Sequence, residues 1–170
     1  TVAGRPRGMD FPVVSCRDIA RAQALGLEAL GIPRLGAVVG GSLGGMIALE
    51  WAAQFPERVD RCAVIAAPAR LYPQAIAYNE VQRQAILADP DCAPGPGPVR
   101  GLANARMLAM ITYRSEQSFS NRWMRDVARG NPHNWDGQFQ VESYLHHHGA
   151  ELVRRFDANC YLYLTRAMDL

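Results

Sequence analysis

The sequence predicts an α/β fold in which a few parallel strands alternate with helices and lead into a long helical segment. Two observations point there first. The apolar runs at 35–39 and 62–67 are too short for helices and end in turn residues, which suits buried strands. Helical patterns precede and separate them, giving the order helix, strand, helix, strand. A third observation sets the remainder apart: from Gln74 onward helical patterns recur almost to the end.

The elements follow in order. Ser15 and Asp18 form a capping-box pattern, and Ile19, Ala22, Leu25 and Ala29 then fall near one helical face, stopped by Gly31 and Pro33. Residues 35–39 form the first strand, residues 40–45 a glycine-rich turn, and residues 46–54 a helix stopped by Pro56. Residues 62–67 form the second strand, with Cys62 expected to be buried. Residues 74–87 are helical, and 89–98, with four prolines and two glycines, are loop. Residues 102–111 are helical again. Phe119, Trp123 and Val127, spaced by four, mark one apolar helix face. Residues 131–137 are loop, and 141–155 and 158–168 are the last helices. Residues 1–70 thus form an α/β part and residues 71–170 a helical part, read as an insertion above a larger sheet, because two strands alone cannot cover both faces.

Composition excludes several classes. The chain has 170 residues, 49% of them apolar, which excludes a disordered chain. Its 18 basic and 16 acidic residues leave +2, no electrostatic case for nucleic acid or an anionic membrane. The uncharged stretch 35–49 carries five glycines and is too short for a bilayer span. The first residue is Thr1, and 1–10 lack the apolar core of a signal peptide. Cysteines at 16, 62, 92 and 160 form no C-x-x-C, which argues against a zinc site or a dense disulfide framework and for reduced thiols in the cytoplasm.

The chemistry centres on Gly40-Gly41-Ser42-Leu43-Gly44, a G-x-S-x-G pattern. A strand feeds in and a helix leads out, the context of a nucleophile elbow. The serine must sit on a strained turn so that its hydroxyl projects above the sheet, and bulky side chains at Gly40 and Gly44 would collide there. The helix N-terminus faces the serine, and the Leu43 backbone N–H is a candidate oxyanion donor. A phosphate loop is the rival reading, but neither the Walker pattern nor G-x-G-x-x-G is present.

Longer stretches carry a more specific resemblance. They are Val38 to Met46 around the serine, Ala48-Leu49-Glu50-Trp51-Ala52, Phe55-Pro56-Glu57-Arg58-Val59 and Phe11-Pro12-Val13-Val14-Ser15. In the second half they are Asn79 to Ile86, Ala105-Arg106-Met107, Ile111-Thr112-Tyr113, Arg155 to Asn159, and Thr165 to Asp169. In these the chain resembles the homoserine O-acyltransferase family of α/β-hydrolase-fold enzymes. The resemblance implies a partial α/β-hydrolase fold with a helical lid, and a ping-pong transfer. Ser42 takes the acyl group from acyl-CoA, and the side-chain hydroxyl of L-homoserine collects it. It also implies that Arg106 binds the α-carboxylate, that Tyr113 hydrogen-bonds the substrate, that no metal or cofactor takes part beyond acetyl-CoA as donor, and that the full-length protein is a homodimer. Arg106 and Tyr113 are seven residues apart, two helical turns, and so share a face.

A serine nucleophile also needs a base and an orienting acid. In this fold they follow the serine in the order Asp or Glu, then His. His133, His146, His147 and His148 all fall in the helical part, and none is assigned to catalysis; Glu142 with His146 makes a weak metal pair at best. The resemblance puts the triad Asp and His beyond Leu170 and a second oxyanion donor before Thr1. The chain is therefore expected to be an internal fragment, inactive alone. The short proline-rich segment 91–98 departs from the family pattern and leaves acetyl versus succinyl open. Rival readings are a homoserine or serine O-succinyltransferase, a serine esterase on the same elbow, and a non-catalytic fragment.

Overall fold

The structure, a computed structural model, describes residues 7–92 and 99–170. Two compact units result: Thr1–Ile76 together with Tyr163–Leu170, and Ala77–Leu162.

In the first unit, helix α1 (Cys16–Ala29) opens with the expected capping box: Ser15 Oγ accepts from Asp18 N, and Asp18 accepts from Ser15 N at 2.9 Å. Its buried stripe is Cys16, Ala20 and Ala24, not the predicted Ile19, Ala22, Leu25 and Ala29, and Leu25 is 66% exposed. Small residues on that stripe let α1 lie close to helix α2 (Leu43–Gln54), whose Trp51 is buried in the same cluster and donates through Nε1 to Gln23 Oε1 at 2.8 Å. Arg58, at the end of the 3₁₀ turn Pro56–Arg58, ties this layer to α1 through Glu28 at 2.9 Å.

Strands β1 (Val38–Gly41) and β2 (Cys62–Ile65) pair in parallel, Val38 opposite Cys62 through Gly41 opposite Ile65. β1 starts later than predicted, because Leu35 makes only an isolated bridge with Val59 before the bend at Gly36. Burial is one-sided. Val38 packs into the helical layer, whereas Val39 is 66% and Ile65 59% exposed. Cys62 is exposed too, against expectation, while Cys16 is the buried thiol. A two-stranded ribbon with helices on one side leaves the face of Val39 and Ile65 bare, whereas Cys62 is on the helix side, its Sγ 3.4 Å from Ala48 O.

The second unit is built from the end of α3 (Pro73–Leu87), α4 (Val99–Thr112), α5 (Glu116–Trp123), α6 (Gln140–Val153) and the start of α7 (Ala158–Asp169). Ile86, Leu102, Ala105, Leu152, Ala158 and Leu162 form its core. Gly101 lets α4 approach α3, since an added Cβ would stand 2.7 Å from Ile86 Cα. Asp89 caps this junction, accepting from Gly101 N at 2.5 Å and Asp91 N at 3.1 Å. Most of the predicted proline-rich loop, residues 93–98, lies outside the described residues.

The helical expectation fails between α5 and α6. A small antiparallel hairpin, β3 (Val127–Arg129) with β4 (Gln138–Phe139), occupies that stretch, its turn being the predicted loop 131–137. Val127 therefore shares no helix face with Phe119 and Trp123: α5 ends at Trp123, and Met124 reverses the chain at φ 46°. Phe119 and Trp123 do stack, with centroids 5.0 Å apart. Glu142 serves as the cap of α6, its Oε2 accepting from Phe139 N at 2.6 Å, and no metal-holding group of His, Cys, Asp and Glu occurs among the described residues.

Candidate active site

Ser42 sits where β1 turns into α2, with φ 52° and ψ −125°, a region that costs a non-glycine residue about 1–3 kcal/mol. Three backbone bonds hold it there. Its N–H donates to Ile65 O at 3.0 Å, and its own carbonyl accepts from Gly45 N at 2.8 Å and Met46 N at 3.2 Å. The residue is exposed, and its side chain makes no cap bond to α2. Leu43 follows at the first helical position, where a backbone N–H has no intrahelical acceptor.

The glycines divide differently from the expectation. At Gly40 an added Cβ would lie far inside van der Waals contact of the Gly44 carbonyl and 2.7 Å from Gly45 N. At Gly44 it would meet nothing within 4 Å among the described residues, so no crowding requires a glycine there. The second tight position is Gly45, where a Cβ would come within 2.6 Å of the Ala67 Cβ. The G-x-S-x-G pattern does not contain Gly45. The sequence also gave no sign of Ala66, which leaves β2 at φ 50° immediately after the residue that bonds Ser42.

Arg106 and Tyr113 belong to the second unit, Ser42 and Leu43 to the first. Arg106 projects from α4, half-buried, with its guanidinium carbon 5.6 Å from the centre of the Tyr113 ring. Tyr113 lies just beyond the helix and is 63% exposed. An ion pair within the unit is the alternative role for Arg106, but no carboxylate lies within 4.0 Å of it among the described residues. Arg83 and Arg154, by contrast, have Glu80 at 2.9 Å and Glu151 at 2.6 Å.

Two further side chains share the electrostatic surroundings of Arg106. Burial pushes the Tyr161 hydroxyl up to about 12, with Tyr113 adding to the rise and Arg106 opposing it. Burial, then His147, Arg106 and Arg114, hold the His148 imidazole below its ordinary range; its ring stands edge-on to Tyr144, centroids 4.5 Å apart. Neither residue was legible as part of a site. His133, His146 and His147 are exposed.

Known proteins resemble this chain over most of its length. The family described as alpha/beta hydrolase fold matches residues 4–158. The chain is 57% identical to a homoserine O-acetyltransferase of Symbiobacterium thermophilum, covering 98% of this chain and 46% of that protein. It is 48% identical to a homoserine O-succinyltransferase of Acinetobacter baumannii, covering 97% and 45%. Among solved structures, a homoserine O-acetyltransferase from Bacillus anthracis superposes with a TM-score of 0.88 at 26% identity, covering 99% of this chain and 48% of that one. An esterase superposes at 0.84 with 29% identity, covering 98% and 48%. The chain spans about half the length of the curated relatives it matches. With a strand–serine–helix turn inside a match that runs over most of its length, the chain belongs to the α/β-hydrolase fold family.

Proposed function

We propose that the full-length protein carrying this chain is a homoserine O-acyltransferase that moves an acetyl group from acetyl-CoA to L-homoserine, a step of methionine synthesis. Ser42 acts as nucleophile of an elbow. Its oxygen attacks the thioester carbonyl, the CoA thiol leaves, and the acetyl group rests on Ser42 until the homoserine hydroxyl collects it. The Leu43 N–H steadies the oxyanion, an interaction worth about 3 kcal/mol. The base and its orienting acid come from outside these 170 residues. The donor is a substrate, and this route needs no metal or other cofactor. Nucleic acid and membrane have no part in it; no helix among the described residues is long and apolar enough to cross a membrane. The expected state is a cytoplasmic homodimer.

Arg106 carries the reading. Its half-buried guanidinium lies against the Tyr113 ring but has no carboxylate beside it among the described residues, so an anionic ligand recovers the most there. Homoserine offers a carboxylate that a guanidinium can hold through both oxygens, and Tyr113 stands against it to hydrogen-bond the same substrate. The identity to an acetyl-transferring relative, 57% against 48% for a succinyl-transferring one, favours the acetyl donor. The likeness to an esterase supports a second reading, hydrolysis on the same turn. A hydrolase has no need of an amino-acid clamp, so Arg106 separates the two. In the full-length protein Arg106→Ala should raise KM for homoserine about tenfold or more, leaving KM for acetyl-CoA within about twofold. Equal effects on both substrates would overturn this assignment.

A further inference from the structure

Against the apolar core of the second unit lies a buried polar pair, Gln82 and Tyr161. Tyr161, on α7, packs its ring against the cluster of Ile86, Leu102 and Ala105 and stands edge-on to Phe156, centroids 6.2 Å apart. Its hydroxyl donates to Oε1 of Gln82 on α3, and Gln82 is only 4% exposed. Packing does not require this pair. A phenylalanine would fill the ring's space, and an apolar side chain in place of Gln82 would spare the unit the desolvation of an amide and a hydroxyl. In some proteins buried polar groups fix one arrangement of their elements more than they add stability.

The arrangement fixed here is the one that presents Arg106. Tyr161 packs against the core cluster to which α4 contributes Leu102 and Ala105, residues of the turn that immediately precedes Arg106. Arg106 and Tyr113 both act electrostatically on the Tyr161 hydroxyl. We propose that Tyr161, anchored by Gln82, is a positioning residue that sets the Arg106–Tyr113 pair for the carboxylate end of the amino-acid substrate. The hydroxyl pins α7 to α3, and the pinned ring pins the α4 turn that carries the guanidinium. This inference rests on the reading of Arg106 as the carboxylate clamp. It adds that substrate affinity, rather than the transfer step, depends on a hydrogen bond away from the reacting atoms.

The test uses the full-length protein with initial-rate kinetics for both substrates and thermal unfolding. Tyr161→Phe removes the hydroxyl and keeps the ring; Gln82→Met removes the acceptor. Each should raise KM for homoserine about fivefold, the worth of one hydrogen bond, with kcat and KM for acetyl-CoA within about twofold. The double variant should be no worse than either single one, because both cut the same bond. A lowered unfolding temperature with unchanged KM would reduce the pair to a structural role and overturn the proposal. So would a fall in kcat alone, or additive effects in the double variant. Arg106→Ala tells the two failures apart: if it raises KM for homoserine and Tyr161→Phe does not, only the positioning role falls; if it leaves KM unchanged, the clamp reading falls first.

Discussion

Gly40 gives the most direct test of the Ser42 turn. Its missing Cβ is replaced in space by the first turn of α2: a methyl there would press into the Gly44 carbonyl and lie 2.7 Å from Gly45 N. These neighbours are backbone atoms of a helix, not the movable end of a side chain, so relief requires shifting α2 itself. Overpacking of this kind costs about 1–3 kcal/mol, and rigid neighbours put Gly40→Ala at the upper end, about 3 kcal/mol. In a full-length protein of about twice this length that should lower the unfolding temperature by roughly 4 °C. The same shift displaces the Leu43 N–H. Loss of one oxyanion donor typically slows acyl transfer by about 100- to 1,000-fold, so single-turnover acylation from acetyl-CoA should slow on that scale. Gly44→Ala is the control. Its added methyl meets nothing within 4 Å among the described residues. Alanine is also the better helix former by about 0.5–1 kcal/mol, so stability should hold or rise. Wild-type melting and acylation in Gly40→Ala, or a larger loss in Gly44→Ala than in Gly40→Ala, would refute the reasoning.

Other consequences are equally open to measurement. Ser42→Ala in the full-length protein should abolish the acyl adduct seen by intact-mass spectrometry and cut turnover roughly a millionfold, and the 170-residue chain assayed alone should show no transfer. The backbone N–H of Gly101, with that of Asp91, holds the Asp89 carboxyl below its ordinary range. A carboxyl whose pKa is lower in the folded than in the unfolded chain stabilises above the unfolded value, and that contribution is lost as pH falls through the folded one. Asp89→Asn should therefore melt below wild type at neutral pH, with the gap closing as pH drops below about 4. A gap that persists unchanged into acid would assign the effect to packing instead of charge.

Much of the fold was legible because its signals are local. The capping box at Ser15 and Asp18, the stop at Pro56 and the strand–glycine–helix order around Ser42 are each set by neighbours in sequence. What failed depended on distant partners. The buried face of α1 is written in alanines, which carry little hydrophobic signal, and becomes a face only because Trp51 lies against it. Val39 and Ile65 read as buried from their type, yet burial needs a second layer that these strands do not receive here. The i, i+4 spacing of Trp123 and Val127 imitates a helix across a chain reversal at Met124. The clamp was legible only as a resemblance. That Arg106 has no carboxylate partner among the described residues, and that its charge acts on Tyr161 and His148, follow only from the folded arrangement.

The strained turn and the proposed clamp at Arg106 differ in what holds them. Ser42 is kept at positive φ by Ile65 O from the paired strand, by two bonds from the next helical turn, and by the close fit of Gly45 against Ala67. All of these lie within residues 42–67, so about 1–3 kcal/mol of strain is carried by the strand pair and α2, without the second unit. Arg106 has no such local support. It stands on a helix whose course is set by Gly101 against Ile86, by Asp89 at its start, and by the core cluster of Leu102 and Ala105 with its neighbours, against which Tyr161 packs. Changes in the second unit, at Gln82 or Tyr161, should therefore alter acceptor affinity while leaving acylation of Ser42 intact. Changes at Gly40 or Gly45 should do the reverse. The proposed ping-pong route permits that separation because its two substrates are met in separate half-reactions. Stopped-flow acylation by acetyl-CoA, measured without homoserine, isolates the first of them. If Tyr161→Phe slowed it as much as Gly40→Ala does, the division of labour between the units would be wrong.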